Sequence, residues 1–94
     1  MIVLQIEHPV PNFDAWKQAF DSDPVGRQRA NVRRYRVLRP VDNPNLAIIE
    51  LEFDTVPEAE ALLASLRVLW GRITGTIIEN PQARIVEIVD SHEL

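Results

Sequence analysis

The chain contains no cysteine. This absence excludes a disulfide framework, a thiolate zinc site and cysteine nucleophile chemistry, and it fits a reducing, cytoplasmic setting. Glycine is scarce: Gly26, Gly71 and Gly75 stand alone, so the chain has no glycine-rich phosphate loop and no nucleotide-binding motif. Ser22, Ser65 and Ser91 lack the glycine-flanked context of a nucleophile elbow. No apolar run approaches the ~20 residues of a membrane span, and no membrane partner is expected. The opening Met1-Ile2-Val3-Leu4-Gln5-Ile6-Glu7 has no basic region and does not read as a signal peptide.

Acids exceed bases, 14 to 10, for a net charge of −4, which disfavours nucleic acid and anionic surfaces. The charge is unevenly spread. Arg27, Arg29, Arg33, Arg34, Arg36 and Arg39 form a basic block with no acid between Pro24 and Val41. What is present is otherwise ordinary for a folded protein. Hydrophobic content of 46% is too high for a disordered chain, and 94 residues have room for one core, so residues 1–94 are expected to form a single domain.

Alternation of Ile2, Leu4 and Ile6 with Val3, Gln5 and Glu7 predicts a half-buried strand, ended by Pro9 and Pro11. Asn12 is an N-cap candidate for a helix over residues 13–21, with Phe13, Trp16 and Phe20 on one face. Strands are predicted over residues 32–39 and 45–53, joined by the turn Val41-Asp42-Asn43-Pro44 into an antiparallel hairpin. Thr55-Val56-Pro57-Glu58 is a capping box with proline in the first turn. The helix it starts is expected to run to about Trp70, with Gly71 just past its end and a stripe of Ala59, Leu62, Leu63, Leu66, Leu69 and Trp70. Residues 72–82 read as a connection, and residues 83–89 as a fourth strand.

The order β-α-β-β-α-β implies an α+β fold, the ferredoxin-like βαββαβ sandwich: a four-stranded antiparallel sheet with both helices on one face. The hairpin register sets Arg36 opposite Glu50 and Arg34 opposite Glu52, so much of the basic block is neutralised by the neighbouring strand. Ile48, Glu50 and Glu52 occupy the places where an RNA-binding sheet of this topology carries stacking aromatics, and no nucleic-acid partner is expected. Val3, Leu38 and Ile48 share that open face, which predicts a sheet-on-sheet homodimer.

Phe13-Asp14-Ala15-Trp16-Lys17-Gln18-Ala19-Phe20-Asp21, Arg34-Tyr35-Arg36-Val37 and Ala47-Ile48-Ile49-Glu50-Leu51-Glu52-Phe53-Asp54 together resemble the dimeric α+β barrel superfamily, closest to its antibiotic-biosynthesis-monooxygenase-like and cyclase-like small proteins. The resemblance covers Ile2 to Val89 and lies in fold-bearing residues. It implies two ferredoxin-like protomers packed sheet on sheet, each with an apolar pocket between sheet and helices. In the monooxygenases of that superfamily tryptophan, asparagine and tyrosine assist oxygenation without metal or flavin. Trp70 stands where such a tryptophan would, and Leu66 where the asparagine would. Haem-degrading members bind iron through a histidine of the second helix; none occurs here, and no metal or other cofactor is expected.

Trp16, Phe20, Tyr35 and Trp70 are the candidate ligand-binding residues, with plain core packing as the competing assignment. His8, Tyr35 and Trp70 are the catalytic candidates, His8 because an imidazole titrates near neutral pH. A strand-end or surface histidine is the competing assignment for His8. No second histidine or matched carboxylate spacing gives it a metal partner, since His92 lies in the tail. The expected function is a cofactor-free monooxygenase, isomerase or cyclase acting on a small apolar or aromatic metabolite. The alternative is a non-catalytic small-ligand-binding or protein-interaction module.

Overall fold

The computed structural model describes residues 1–75 and 77–94. It contains β1 (Ile2–Pro9), α1 (Phe13–Asp21), β2 (Arg34–Leu38), β3 (Leu46–Phe53), α2 (Val56–Ile73) and β4 (Gln82–Glu87). The strands form one antiparallel sheet in the order β2-β3-β1-β4, giving the ferredoxin-like βαββαβ fold.

The central strand sets the layout. β1 pairs with β3 on one side and β4 on the other, with Leu4 opposite both Leu51 and Ile85. Strict alternation sends Ile2, Leu4, Ile6 and His8 to the helix side, where they meet Ala47, Ile49, Leu51 and Phe53 of β3. Leu4, Ala47 and Phe53 are wholly buried there. α2 supplies Ala59, Leu62, Leu63 and Trp70 to the same core, and α1 supplies Trp16. Each large apolar side chain so buried contributes about 1.5–3 kcal/mol.

Both helix starts follow the expected chemistry. The Asn12 side chain accepts from the Ala15 N–H at 3.0 Å, and Thr55 and Glu58 close a reciprocal capping box. The ends differ from expectation in places. α2 does not stop at Trp70 but runs through Gly71 to Ile73 and is capped by Thr74, whose N–H and hydroxyl both donate to the Trp70 carbonyl. The left-handed residue that lets the chain turn away is Gly75, at φ +91°. β1 continues two residues past Glu7, with proline tolerated at its last position. β2 is shorter than expected because Asn31 takes φ +69° and the Val32 N–H bonds back to the Arg27 carbonyl, turning the chain before the strand begins. β4 closes at Glu87, although the Ile88 N–H still donates to the Met1 carbonyl.

The opposite face carries a polar row crossing all four strands. Arg36 donates to Glu50 Oε1 from Nε and Nη2 at 2.8 and 2.6 Å, Gln5 Nε2 donates to Glu50 Oε2 at 3.1 Å, and Arg84 Nε donates to Gln5 Oε1 at 2.7 Å. These donors hold the Glu50 carboxyl below its ordinary range, the Gln5 amide most and Arg36 next, against a small opposing effect of burial. Arg34 pairs with Glu52 at 3.0 Å in the adjacent row. No helix of the described residues is long and apolar enough to cross a membrane.

Leu62 is 2% exposed at the centre of the α2 stripe. Leu62→Ala is expected to lower unfolding stability by about 2–5 kcal/mol, read from urea denaturation, because the sheet beneath cannot collapse onto the void. Thr55→Ala should cost about 1 kcal/mol in the same assay by removing the cap.

Candidate functional site

The two helices do not close tightly on the sheet. Between them lies a cavity of about 260 Å³. Its floor is Ile6 and His8 of β1 with Ile49 and Leu51 of β3. One wall is α1, through Trp16 and Phe20; the other is α2, through Leu66, Leu69 and Trp70. The segment after α1 adds Val25 and Arg27, and the segment after α2 adds Ile77 and Ile78.

His8 stands out in this apolar lining. Continuing the β1 alternation beyond Ile6 brings it to the helix side, and only 2% of it is exposed. Its ring meets Trp16 edge-on, centroids 5.4 Å apart. Its Nδ1 is buried without a hydrogen-bond partner among the described residues, a rare state for a buried polar atom. Burial pushes the imidazolium pKa below its ordinary value, and the backbone of Pro9 and of His8 itself offsets this only in part. His8 is therefore a neutral base at pH 7. It sits at the strand end, as its place in the sequence suggests, yet it is not a surface residue; only the parity of β1 signals its burial.

From His8 a chain of rings runs along α1. Trp16 touches Phe20 at 5.2 Å between centroids, and Phe20 touches Tyr35 at 5.4 Å. Of the four aromatic candidates, Trp16, Phe20 and Trp70 line the cavity. Tyr35 does not. It lies on the helix side of the edge strand β2, is 43% exposed, and packs outside the cavity against Phe20. His8 and Trp70 share the cavity, so two of the three catalytic candidates come together and Tyr35 stands apart.

In the sequence Arg27 is one member of the basic block, and the structure gives it a separate place. Its Nη1 donates to the Phe20 carbonyl at 2.8 Å, its Nε lies 3.6 Å from Asp23 Oδ1, and its guanidinium stacks over Phe20 and Tyr35 at 4.1 and 4.6 Å. It ties the segment after α1 back to the end of that helix, beside the cavity. Nothing in the local spacing announces a stacked cation. Ile78, wholly buried, also escapes sequence reasoning, and the adjacent Ile77-Ile78 pair in an otherwise polar connection is the available clue. No group of three or more histidines or carboxylates among the described residues is placed to hold a metal ion.

No family model matches the sequence, and no curated protein matches it. Solved structures do match in shape. A protein from Nitrosomonas europaea provisionally described as an antibiotic biosynthesis monooxygenase superposes with TM-score 0.73 at 19% identity, over 96% of this chain and 100% of that one. A mutant of SnoaB, a cofactor-independent oxygenase from Streptomyces nogalater, gives TM-score 0.77 at 11% identity, over 96% and 94%. A dimeric ferredoxin-like protein from an uncultured marine organism gives 0.66 at 11% identity, over 97% of each. The chain thus has the fold of antibiotic-biosynthesis-monooxygenase-like ferredoxin-fold proteins, as its sequence resemblance implied. Identities this low establish a shared fold, and activity has to be argued from the site.

The burial of His8 carries a pH signature. An unfolded histidine takes up a proton as pH falls through about 6.5, while the buried one resists it. Its contribution to stability is therefore complete above the unfolded pKa and declines below it, by at most about 1.4 kcal/mol per pH unit for one proton. Denaturation at about pH 8 and pH 5.5 should show the wild type losing more stability on acidification than His8→Phe. Equal losses would mean the imidazole is solvated.

Proposed function

We propose that the protein is a cofactor-independent oxygenase acting on a compact aromatic metabolite held between sheet and helices, working as a homodimer. The observation that carries this reading is the apolar cavity with one neutral histidine in its floor. An apolar cavity of ~150 Å³ is enough to bind benzene, so about 260 Å³ takes one or two fused rings. Trp16, Phe20 and Trp70 offer ring faces and edges to such a ligand. His8 is the group able to accept a proton in reach of it.

The chemistry follows from that proton. An aromatic molecule with an activated CH₂ loses H⁺ to neutral His8, and the resulting electron-rich anion reduces O₂ directly. One oxygen atom ends in the new C=O, the other leaves as water, and all four electrons come from the substrate C–H bonds. The cavity's contribution is to hold the ring, exclude bulk water and keep the imidazole neutral before the transfer. The oxygenase named among the structural neighbours supports this class.

The homodimer reading rests on the open face, where Leu38 and Ile48 remain partly exposed beside the polar row, and on the dimeric neighbour of the same fold. Ile48 is followed on that face by Glu50, whose carboxyl is already occupied by Gln5 and Arg36, leaving the isoleucine to make the contact. A lysine there would be desolvated without a partner.

Two measurements test the proposal. Aromatic compounds with activated methylenes should consume O₂ in the presence of the wild-type protein, and Leu66→Trp, which fills the cavity, should abolish uptake while leaving the fold intact by circular dichroism. Ligand binding without O₂ uptake would assign the protein to the non-catalytic class, a reading favoured by the remoteness of Tyr35. For assembly, wild type should sediment as a dimer at micromolar concentration and Ile48→Lys as a monomer; a monomeric wild type would remove the dimer.

A further inference from the structure

We propose that His8 selects the ligand, and that the cavity is built for a neutral aromatic alcohol of one or two rings whose hydroxyl pairs with the unpartnered histidine nitrogen. This rests on reading the cavity as a ligand site and narrows it to a substrate class, aromatic alcohols that are enols of a methylene ketone, whose O–H proton given to His8 leaves the same anion as a C–H proton would. Three observations lead there.

The first is the orphaned atom. Buried polar groups in folded proteins nearly always have partners, and His8 Nδ1, inside a residue only 2% exposed, has none among the described residues. A hydroxyl both donates and accepts, so it satisfies either neutral tautomer of the ring. A carbonyl serves only one tautomer, and a hydrocarbon serves neither.

The second is the state of the one cation in the lining. A carboxylate ligand would need a charge partner in this apolar setting. Arg27 is the only cationic side chain that the described lining offers, and its guanidinium is already engaged by Asp23, by the Phe20 carbonyl and by the faces of Phe20 and Tyr35. Recruiting it would dismantle the contacts that hold the cavity's own wall. An anionic ligand is therefore disfavoured, and so is an ammonium, for which no carboxylate lines the cavity among the described residues.

The third is shape. The floor residue His8 stands edge-on to Trp16, with Trp70 on the facing helix. Both indoles and the imidazole line the same cavity, so an aromatic ring held there lies within reach of His8.

Naphthalene, 1-naphthol and 1-naphthoate share one ring system and differ at one substituent, so they separate these claims by calorimetric titration. A purely apolar cavity would bind 1-naphthol more weakly than naphthalene, because the hydroxyl would be buried unpaired. The expected result has the opposite sign: wild type binds 1-naphthol about tenfold tighter than naphthalene, a difference of about 1.4 kcal/mol, and binds 1-naphthoate least. His8→Phe should lose the preference for 1-naphthol over naphthalene, whatever it does to naphthalene affinity itself, and His8→Asn should keep part of the preference. Equal affinities for naphthalene and 1-naphthol, or tightest binding of 1-naphthoate, would overturn the assignment to His8 and leave the cavity as a ligand site. Failure of all three to bind would remove the cavity reading and this one with it. Should His8→Phe not fold, the ¹⁵N shifts of the wild-type His8 ring decide: they move with 1-naphthol and not with naphthalene, and no movement with 1-naphthol overturns the proposal.

Discussion

Everything in this molecule hangs on the parity of the central strand. β1 is hydrogen-bonded on both edges, so its register is set twice, by β3 and by β4. The alternation that buries Ile2, Leu4 and Ile6 cannot stop at Ile6 while the ladder to β3 continues, and the next inward position belongs to His8. A slip of one residue would send Val3, Gln5 and Glu7 into the core and Leu4 to the open face. The packing energy of the whole inward row therefore holds the histidine in an environment it would not choose by itself. Its buried position needs no local device, since the cost of one unpartnered nitrogen is small beside the burial of its three strand neighbours.

The same constraint separates the two faces into different kinds of surface. The inward side is apolar and incompletely filled. The outward side is polar along one row and mixed elsewhere. Glu50 shows how the second arrangement is tuned: it accepts from Gln5 on the central strand and from Arg36 on the edge strand, and it ionises more readily for both. The arginine partners of the row are exposed, so each ion pair contributes no more than a few tenths of a kcal/mol to about 1. Its value lies in alignment, since four side chains from four strands agree on one register.

Strand order, both helices, both helix caps and the cross-strand ion pairs are legible in the sequence because each is written in short-range spacing. Period two marks a strand, Thr55-Val56-Pro57-Glu58 marks a helix start, and a turn of known length converts two strands into a pairing. The end of α2 is not legible in this way. Gly71 is a plausible stop by composition, but it has ordinary helical backbone, and Gly75 is the residue that turns. Choosing between two glycines four residues apart depends on what packs beyond them, here Ile78 entering the core. The site is legible in its parts and not in its assembly. Trp16, Phe20 and Trp70 are identifiable as aromatics of the inward faces. That Tyr35 falls outside depends on β2 being the edge strand and on Arg27 folding over it, and both are long-range facts.

The arginines of β2 and β4 have a further consequence, which concerns what happens at the sheet's rims. β2 and β4 are the outer strands, and each leaves a line of unpaired backbone groups to which another chain could add a strand. Arg34 and Arg36 flank one rim, and Arg84 lies at the other, drawn inward to Gln5. A strand adding at either rim would have to accommodate these long charged side chains along its border. Lateral growth into a fibril is thus resisted at both borders by the same side chains that tie the outward row together.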